Sequence, residues 1–195
     1  MSPQVKIQKE DILEASLSIL RKDGFDALNA RSIAKEMQCS TKPIFRYYES
    51  MNALKEDLSS YVDNYFSQYL LNYPYIYENP LINVGLAYVD FASKEANVFR
   101  FIYLSGYLSY ATFIDFVFNS QAKNFFANLL QQVDRQLSFE EIKKLYLQLL
   151  IYAHGLATLV SSNKMKFEQE TLARLFVNAY IALKDNISNL QVDVI

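Results

Sequence analysis

Tryptophan is absent from this 195-residue chain, cysteine and histidine occur once each, and glycine and proline four times each. Each shortage excludes something. A single cysteine, Cys39, allows no internal disulfide, and His154 is too distant in sequence to form a Cys–His cluster with it at metal-ligand spacing. There is no glycine-rich phosphate loop. These absences argue against an enzyme and against a metal or other cofactor, and leave carboxylates such as Glu95 and Asp115 as the residual catalytic candidates. So few glycines and prolines cannot turn the many short strands of a sandwich or barrel, which favours helices. Basic charge is not in excess either. The formal net charge is −2, which argues against a general nucleic-acid coat. The opening residues lack the apolar core of a signal peptide. The stretch from Val98 to Phe118 is rich in apolar residues but carries Arg100 and Asp115, so a buried helical hairpin is expected there rather than a membrane span. A reducing cytoplasm and no membrane partner are the resulting expectations.

What is present is apolar and helical in period. Hydrophobic residues make up 51% of the chain, enough for a sizeable core. The periodicity predicts an all-α fold of about nine helices, a small N-terminal head followed by a larger body. The first helix is expected over about 8–23, closed by Gly24 as a left-handed cap. Asn29 caps a short second helix, whose buried face is Ile33, Ala34 and Met37. A turn at Gln38-Cys39 follows, and Ser40 caps a third helix running through about Tyr48. Pro43 falls in its first turn, where a missing amide costs little. Ser50 opens a long helix, Met51 to about Leu71, and Asn72-Tyr73-Pro74 breaks it. Further helices are expected from Asn79-Pro80 to near Ala96, over about 97–106 and over 110–135. A Ser138–Glu141 capping box opens another through about Val160. A loop at Ser161–Lys164 separates it from the last, over 168–187.

The second and third helices, joined by about three residues, have helix-turn-helix spacing. Ile44 and Tyr48, four apart, face inward, and Cys39 plugs the turn. Thr41, Lys42, Phe45 and Arg46 are left on an outward face that could enter a major groove. Arg31 and the helix N-termini are suited to phosphate. Lys42 at a helix start opposes the dipole, a cost that a nearby phosphate relieves. The charge distribution permits this: residues 1–55 hold nine Lys/Arg against seven Asp/Glu, and the remainder ten against fourteen.

Gly24-Phe25, Asn29, Arg31, Ile33-Ala34, Cys39-Ser40, Ile44-Phe45, Tyr47-Tyr48 and Leu54 stand at the spacing of the DNA-binding head of the TetR family of repressors, and over about 15–58 the chain resembles it. The resemblance implies a DNA-binding domain at 1–50 and a helical regulatory and dimerisation domain at 51–195. It implies that Arg31 touches phosphate or a base, that Thr41, Lys42 and Pro43 approach the bases with Ser40 also at the DNA-binding surface, and that Phe45 and Tyr47 stand at positions usually held by a phosphate-binding Tyr and a His. Three departures accompany it. Gln38 replaces the usual turn glycine, Phe45 lacks the hydroxyl, and Met51 replaces a Lys, for which Lys55 one turn on is a substitute. Double-stranded operator DNA, a homodimer and a small-molecule effector are the partners implied.

The body is aromatic. Of 29 aromatics, 19 lie between residues 61 and 130. They fill a core or line a ligand cavity, for which Tyr65, Tyr103, Tyr107, Phe113 and Phe116 are candidates. His154 is either a hydrogen-bonded core residue or a ligand group. The segment Tyr152-Ala153-His154-Gly155-Leu156 is similar to a stretch in the C-terminal domains of some TetR-like regulators, as is Ala87–Ala92. The stripes of the last two helices predict an isologous four-helix bundle between two subunits, through Leu149, Leu156, Leu172, Phe176, Ala179 and Leu183. The function expected is a repressor released from a palindromic operator by a small molecule. The alternative is a helical interaction or sensor protein with weakened DNA binding.

Overall fold

The computed structural model of the chain describes residues 7–107, 133, 137–163 and 165–189. The helix expected over 110–135, with Phe113, Asp115 and Phe116, lies outside them apart from Val133. The described residues form eight α-helices and no strand. They are α1 (Lys9–Asp23), α2 (Ala30–Glu36), α3 (Lys42–Tyr47), α4 (Met51–Leu71), α5 (Pro80–Lys94), α6 (Ala96–Leu104), α7 (Phe139–Asn163) and α8 (Gln169–Asp185), with short 3-10 turns at Phe25–Ala27 and Ile187–Asn189. The chain divides into two compact units: Met1–Asn64 with Glu95–Ser109, and Tyr65–Lys94 with Tyr110–Ile195. The division falls inside α4, and α6 belongs with the N-terminal helices.

The first unit is built around Ile12, Leu20, Ile33, Ile44, Leu54 and Leu58, all fully buried. Burying each such side chain contributes roughly 1.5–3 kcal/mol. Its helix ends are tied by polar groups. Asn29 accepts from the backbone amides of Arg31 and Ser32 at 3.1 and 3.0 Å, and the Ser32 hydroxyl oxygen accepts from the Asn29 amide. Glu95, nearly buried at the start of α6, accepts from Arg21 Nε of α1 at 2.9 Å and from a terminal guanidinium nitrogen of the same residue. Asn97 donates to the Arg21 carbonyl at 3.0 Å, which closes the α1–α6 contact.

The second unit is an aromatic core. Phe66 and Tyr69 set their rings edge-on to Phe91, with centroids 4.7 and 5.2 Å away. Gly85 lets α5 approach the fully buried ring of Phe176 on α8. Tyr88 and His154 share a hydrogen bond of 2.9 Å, which makes His154 a partnered, half-buried residue. Burial lowers its pKa. Among the described residues α7 is the one helix long and apolar enough to cross a bilayer. Ten of its residues, from Ile142 to Ser161, are buried inside this chain.

Several boundaries differ from the sequence expectation. The residue before α3 is Thr41, not Ser40, and it makes no side-chain cap bond. The link between α2 and α3 spans Met37–Thr41, five residues rather than three, because α2 unwinds through a full C-terminal motif. The Cys39 amide donates to the Ala34 carbonyl at 2.9 Å and the Gln38 amide to that of Lys35 at 3.1 Å. Met37 and Cys39 are only half-buried. Gly24 has φ 82° but an extended ψ of 174°. The expected loop at Ser161–Lys164 starts later, because buried Ser161 stays helical and donates back to the Thr158 carbonyl at 3.3 Å. Leu149, Leu172 and Phe176, expected at a dimer face, are buried in the unit's own core. Leu156, Ala179 and Leu183 are half-buried, and the exposed large apolar residues of the same helices are Phe139, Ile151, Leu159 and Ile181.

Candidate nucleic-acid interface

The outward face of α3 is fixed by what its inward face does. Ile44 is fully buried, and Tyr48, just past the helix, is 5% exposed. The Tyr48 hydroxyl donates to Asp57 Oδ2 on α4 at 2.6 Å. Lys9 Nζ of α1 reaches the same oxygen at 2.8 Å and lies 5.5 Å from the Tyr48 ring centroid. Three helices are thus pinned at one carboxylate. Burial raises the Tyr48 phenol far above its usual value, and the bond to Asp57 adds to the shift. Burial pushes the Asp57 carboxyl up, but the bonds from Lys9 and Tyr48 outweigh it, so its pKa ends below the usual range. Sequence reasoning missed this pin. Lys9, Tyr48 and Asp57 are too far apart in the chain for any local periodicity to join them.

With Ile44 and Tyr48 anchored, Lys42, Phe45 and Arg46 emerge together on the solvent side, and Thr41 and Pro43 are half-buried beside them. Phe45 is 52% exposed. Arg46 lies over the Tyr47 ring, 5.4 Å from its centroid. Arg31 and Ser40 are exposed, on α2 and in the turn. Two residues are placed differently from expectation. The Tyr47 hydroxyl donates to the Ile7 carbonyl at 3.1 Å, so its proton is already in use. Lys55 Nζ sits 5.4 Å from the Tyr107 ring. Such a surface, cationic at Lys42 and Arg46 with an exposed ring between, can meet phosphates and the apolar edge of a base.

Of the ligand-cavity candidates, Tyr65 lines a cleft in the second unit. Tyr103 and Tyr107 belong to the first unit and pack on Phe99 and Phe101. His154 does not line the cleft. Among the described residues no group of three His, Cys, Asp or Glu could hold a metal ion.

No family model matches the chain, and no curated protein does. Solved structures do. A TetR family transcription regulator from Marinobacter aquaeolei VT8 superposes with a TM-score of 0.60 at 20% identity, over 89% of this chain and 94% of that one. A TetR-like transcriptional regulator from Rhodococcus sp. RHA1 does so with a TM-score of 0.59 at 15% identity, over 92% and 96%. At these identities the likeness establishes the fold.

Proposed function

We propose that this chain, which has the fold of the TetR-type regulators, is a homodimeric transcription repressor that grips a palindromic operator through α3 and releases it when a small molecule binds the body. The observation that carries the reading is the division of α3 into an anchored side, Ile44 with Tyr48, and a free side bearing Lys42, Phe45 and Arg46. Arg31, Ser40, Thr41 and Pro43 border that free side. Two such heads, one per subunit, would read half-sites one helical turn apart. The exposed Ile151, Leu159 and Ile181, with half-buried Leu156, Ala179 and Leu183, are suited to an isologous contact between copies. Helix α4 supplies residues to both units, so a ligand held against Tyr65 acts on the helix that also carries Leu54 and Leu58. An effect on DNA then equals the ligand's differential affinity for the two states of the protein.

The test is selection from a random duplex library followed by gel shift of the selected site at about 50 and 200 mM salt. The expected outcome is a palindromic site whose affinity falls steeply with salt. Lys42→Ala should weaken binding and reduce the salt slope by about one. One observation favours a second reading, an interaction or sensor protein with weakened DNA binding: the Tyr47 hydroxyl is spent on Ile7, while Phe45 and Met51 offer no donor. Operator binding unchanged in Lys42→Ala and Arg31→Ala would select that reading.

A further inference from the structure

The second unit holds a cleft of about 900 Å³, within the range of small-molecule sites. One wall is a row of tyrosines spaced four apart, Tyr65 and Tyr69 on one face of α4 and Tyr73 two residues past its end. The Tyr69 and Tyr73 rings have centroids 6.3 Å apart. Tyr65 and Tyr69 are braced from behind by Phe91, at 5.9 and 5.2 Å, so their positions are set without a ligand. Facing the row are Asp90 and Lys94 of α5.

The charges are arranged by depth. The Asp90 side chain is 26% exposed and the Lys94 side chain 64%. The inner charge is therefore the carboxylate, and the ammonium reaches it from solvent. Asp90 Oδ2 accepts from the Tyr69 hydroxyl at 2.5 Å and from Lys94 Nζ at 2.8 Å. Burial and then the negative field of Asp90 raise the Tyr73 phenol's pKa, so that field reaches along the tyrosine row. Among the described residues, the remaining charges of the lining, Lys166 and Glu168, are exposed and of opposite sign. A half-buried carboxylate beside aromatic rings attracts a cation twice over, through its charge and through the ring quadrupoles. The lysine ammonium that now meets it is a compact, strongly hydrated charge.

We propose that the cleft binds an organic cation, a lipophilic amine or quaternary ammonium, whose charge takes the place of the Lys94 ammonium beside Asp90 and whose apolar part lies along Tyr65, Tyr69 and Tyr73. The proposal gives a chemical class to the effector in the reading above and rests on that half of it alone. It is tested without DNA, by calorimetric titration of the full-length protein with benzyltributylammonium and, in parallel, with 4-phenylbutyrate. The cation should bind and the anion should not. Asp90→Asn should weaken the cation roughly tenfold or more, and Lys94→Gln, which removes the competing ammonium from an exposed position, should tighten it several-fold. Binding of the anion with loss in Lys94→Gln, no binding of the cation to the wild type, or cation binding indifferent to both substitutions would each overturn it. If the gel shift fails while the titration succeeds, only the DNA reading falls, and the converse holds equally.

Discussion

The two units place their candidate surfaces in opposite ways. In the first, every exposed group at the candidate interface comes from the sixteen residues between Arg31 and Arg46, and the turn that sets them out is closed by bonds spanning five residues or fewer. In the second, the cleft joins residues 65–94 to residues 160–172, and nothing local links them. The units are also held differently. In the second, a fully buried ring, Phe176, closes on Gly85, while in the first the tight backbone position, Gln38, is an exposed turn residue. Substitutions that test backbone geometry should therefore act mildly in the first unit and severely in the second.

Gly85→Ala should have the largest effect. A Cβ at Gly85 would stand 2.4 Å from Cε1 of Phe176, and 2.7 and 2.8 Å from Cδ1 and Cζ. Phe176 is fully buried, with its ring edge-on to Tyr152 at 5.6 Å, so it has little room to swing. Overpacking of this kind costs about 2–3 kcal/mol, or roughly 4–12 °C in melting temperature for a chain of this size. Thermal melting followed by circular dichroism measures it. Adding Phe176→Leu should recover part of the loss. An unchanged melting temperature in the single variant would mean that the close approach of α5 to α8 does not limit stability.

A smaller effect, of opposite sign, is expected in the first unit at Asp63. Burial pushes this carboxyl up to about 6. The unfolded chain therefore loses its proton first as pH rises, and the associated stability is full below about 4 and gone above about 6. Asp63→Asn should stabilise the protein by about 1–3 kcal/mol at pH 7.5. The gain should shrink to about half a kcal/mol or less by pH 4, where the folded parent is largely protonated at this position and the unfolded chain only partly ionised. Denaturant titrations at the two pH values decide it, and an equal gain at both would remove titration as the cause.

How much of this was legible in the sequence follows the same division. The Asn29 cap, the Ser50 start of α4 and the Ser138–Glu141 box stand as their residue types predict, because a cap is a conversation between residues three apart. The burial of Ile44 and Tyr48 followed from their spacing. The cleft did not. Tyr65 was a candidate, but Tyr69, Tyr73, Asp90 and Lys94 were not, although their i, i+4 steps were visible. Periodicity tells which residues share a helix face but not which other helix that face will meet. The stripe on α7 and α8 misled for the same reason: Leu149, Leu172 and Phe176 face the core of their own unit, and a stripe alone does not distinguish self from partner.

Gln38 tests the comparison at its finest grain. It is the one non-glycine residue with positive φ among those described, at 51°, and it occupies the left-handed position that ends α2. A side chain there crowds the following carbonyl, at about 1–2 kcal/mol, and glycine removes the crowding while adding freedom to the unfolded chain. Gln38→Gly should therefore stabilise by roughly 0.5–1 kcal/mol, a rise of a few degrees at most in a thermal melt. A β-branched residue, Gln38→Val, should move the melt the other way. Because the two bonds that close this turn are backbone to backbone, from Cys39 to Ala34 and from Gln38 to Lys35, neither variant removes a hydrogen bond. The direction of each shift then reports the left-handed conformation alone, and a Gly variant no more stable than the parent would mean that this turn carries no strain for glycine to relieve.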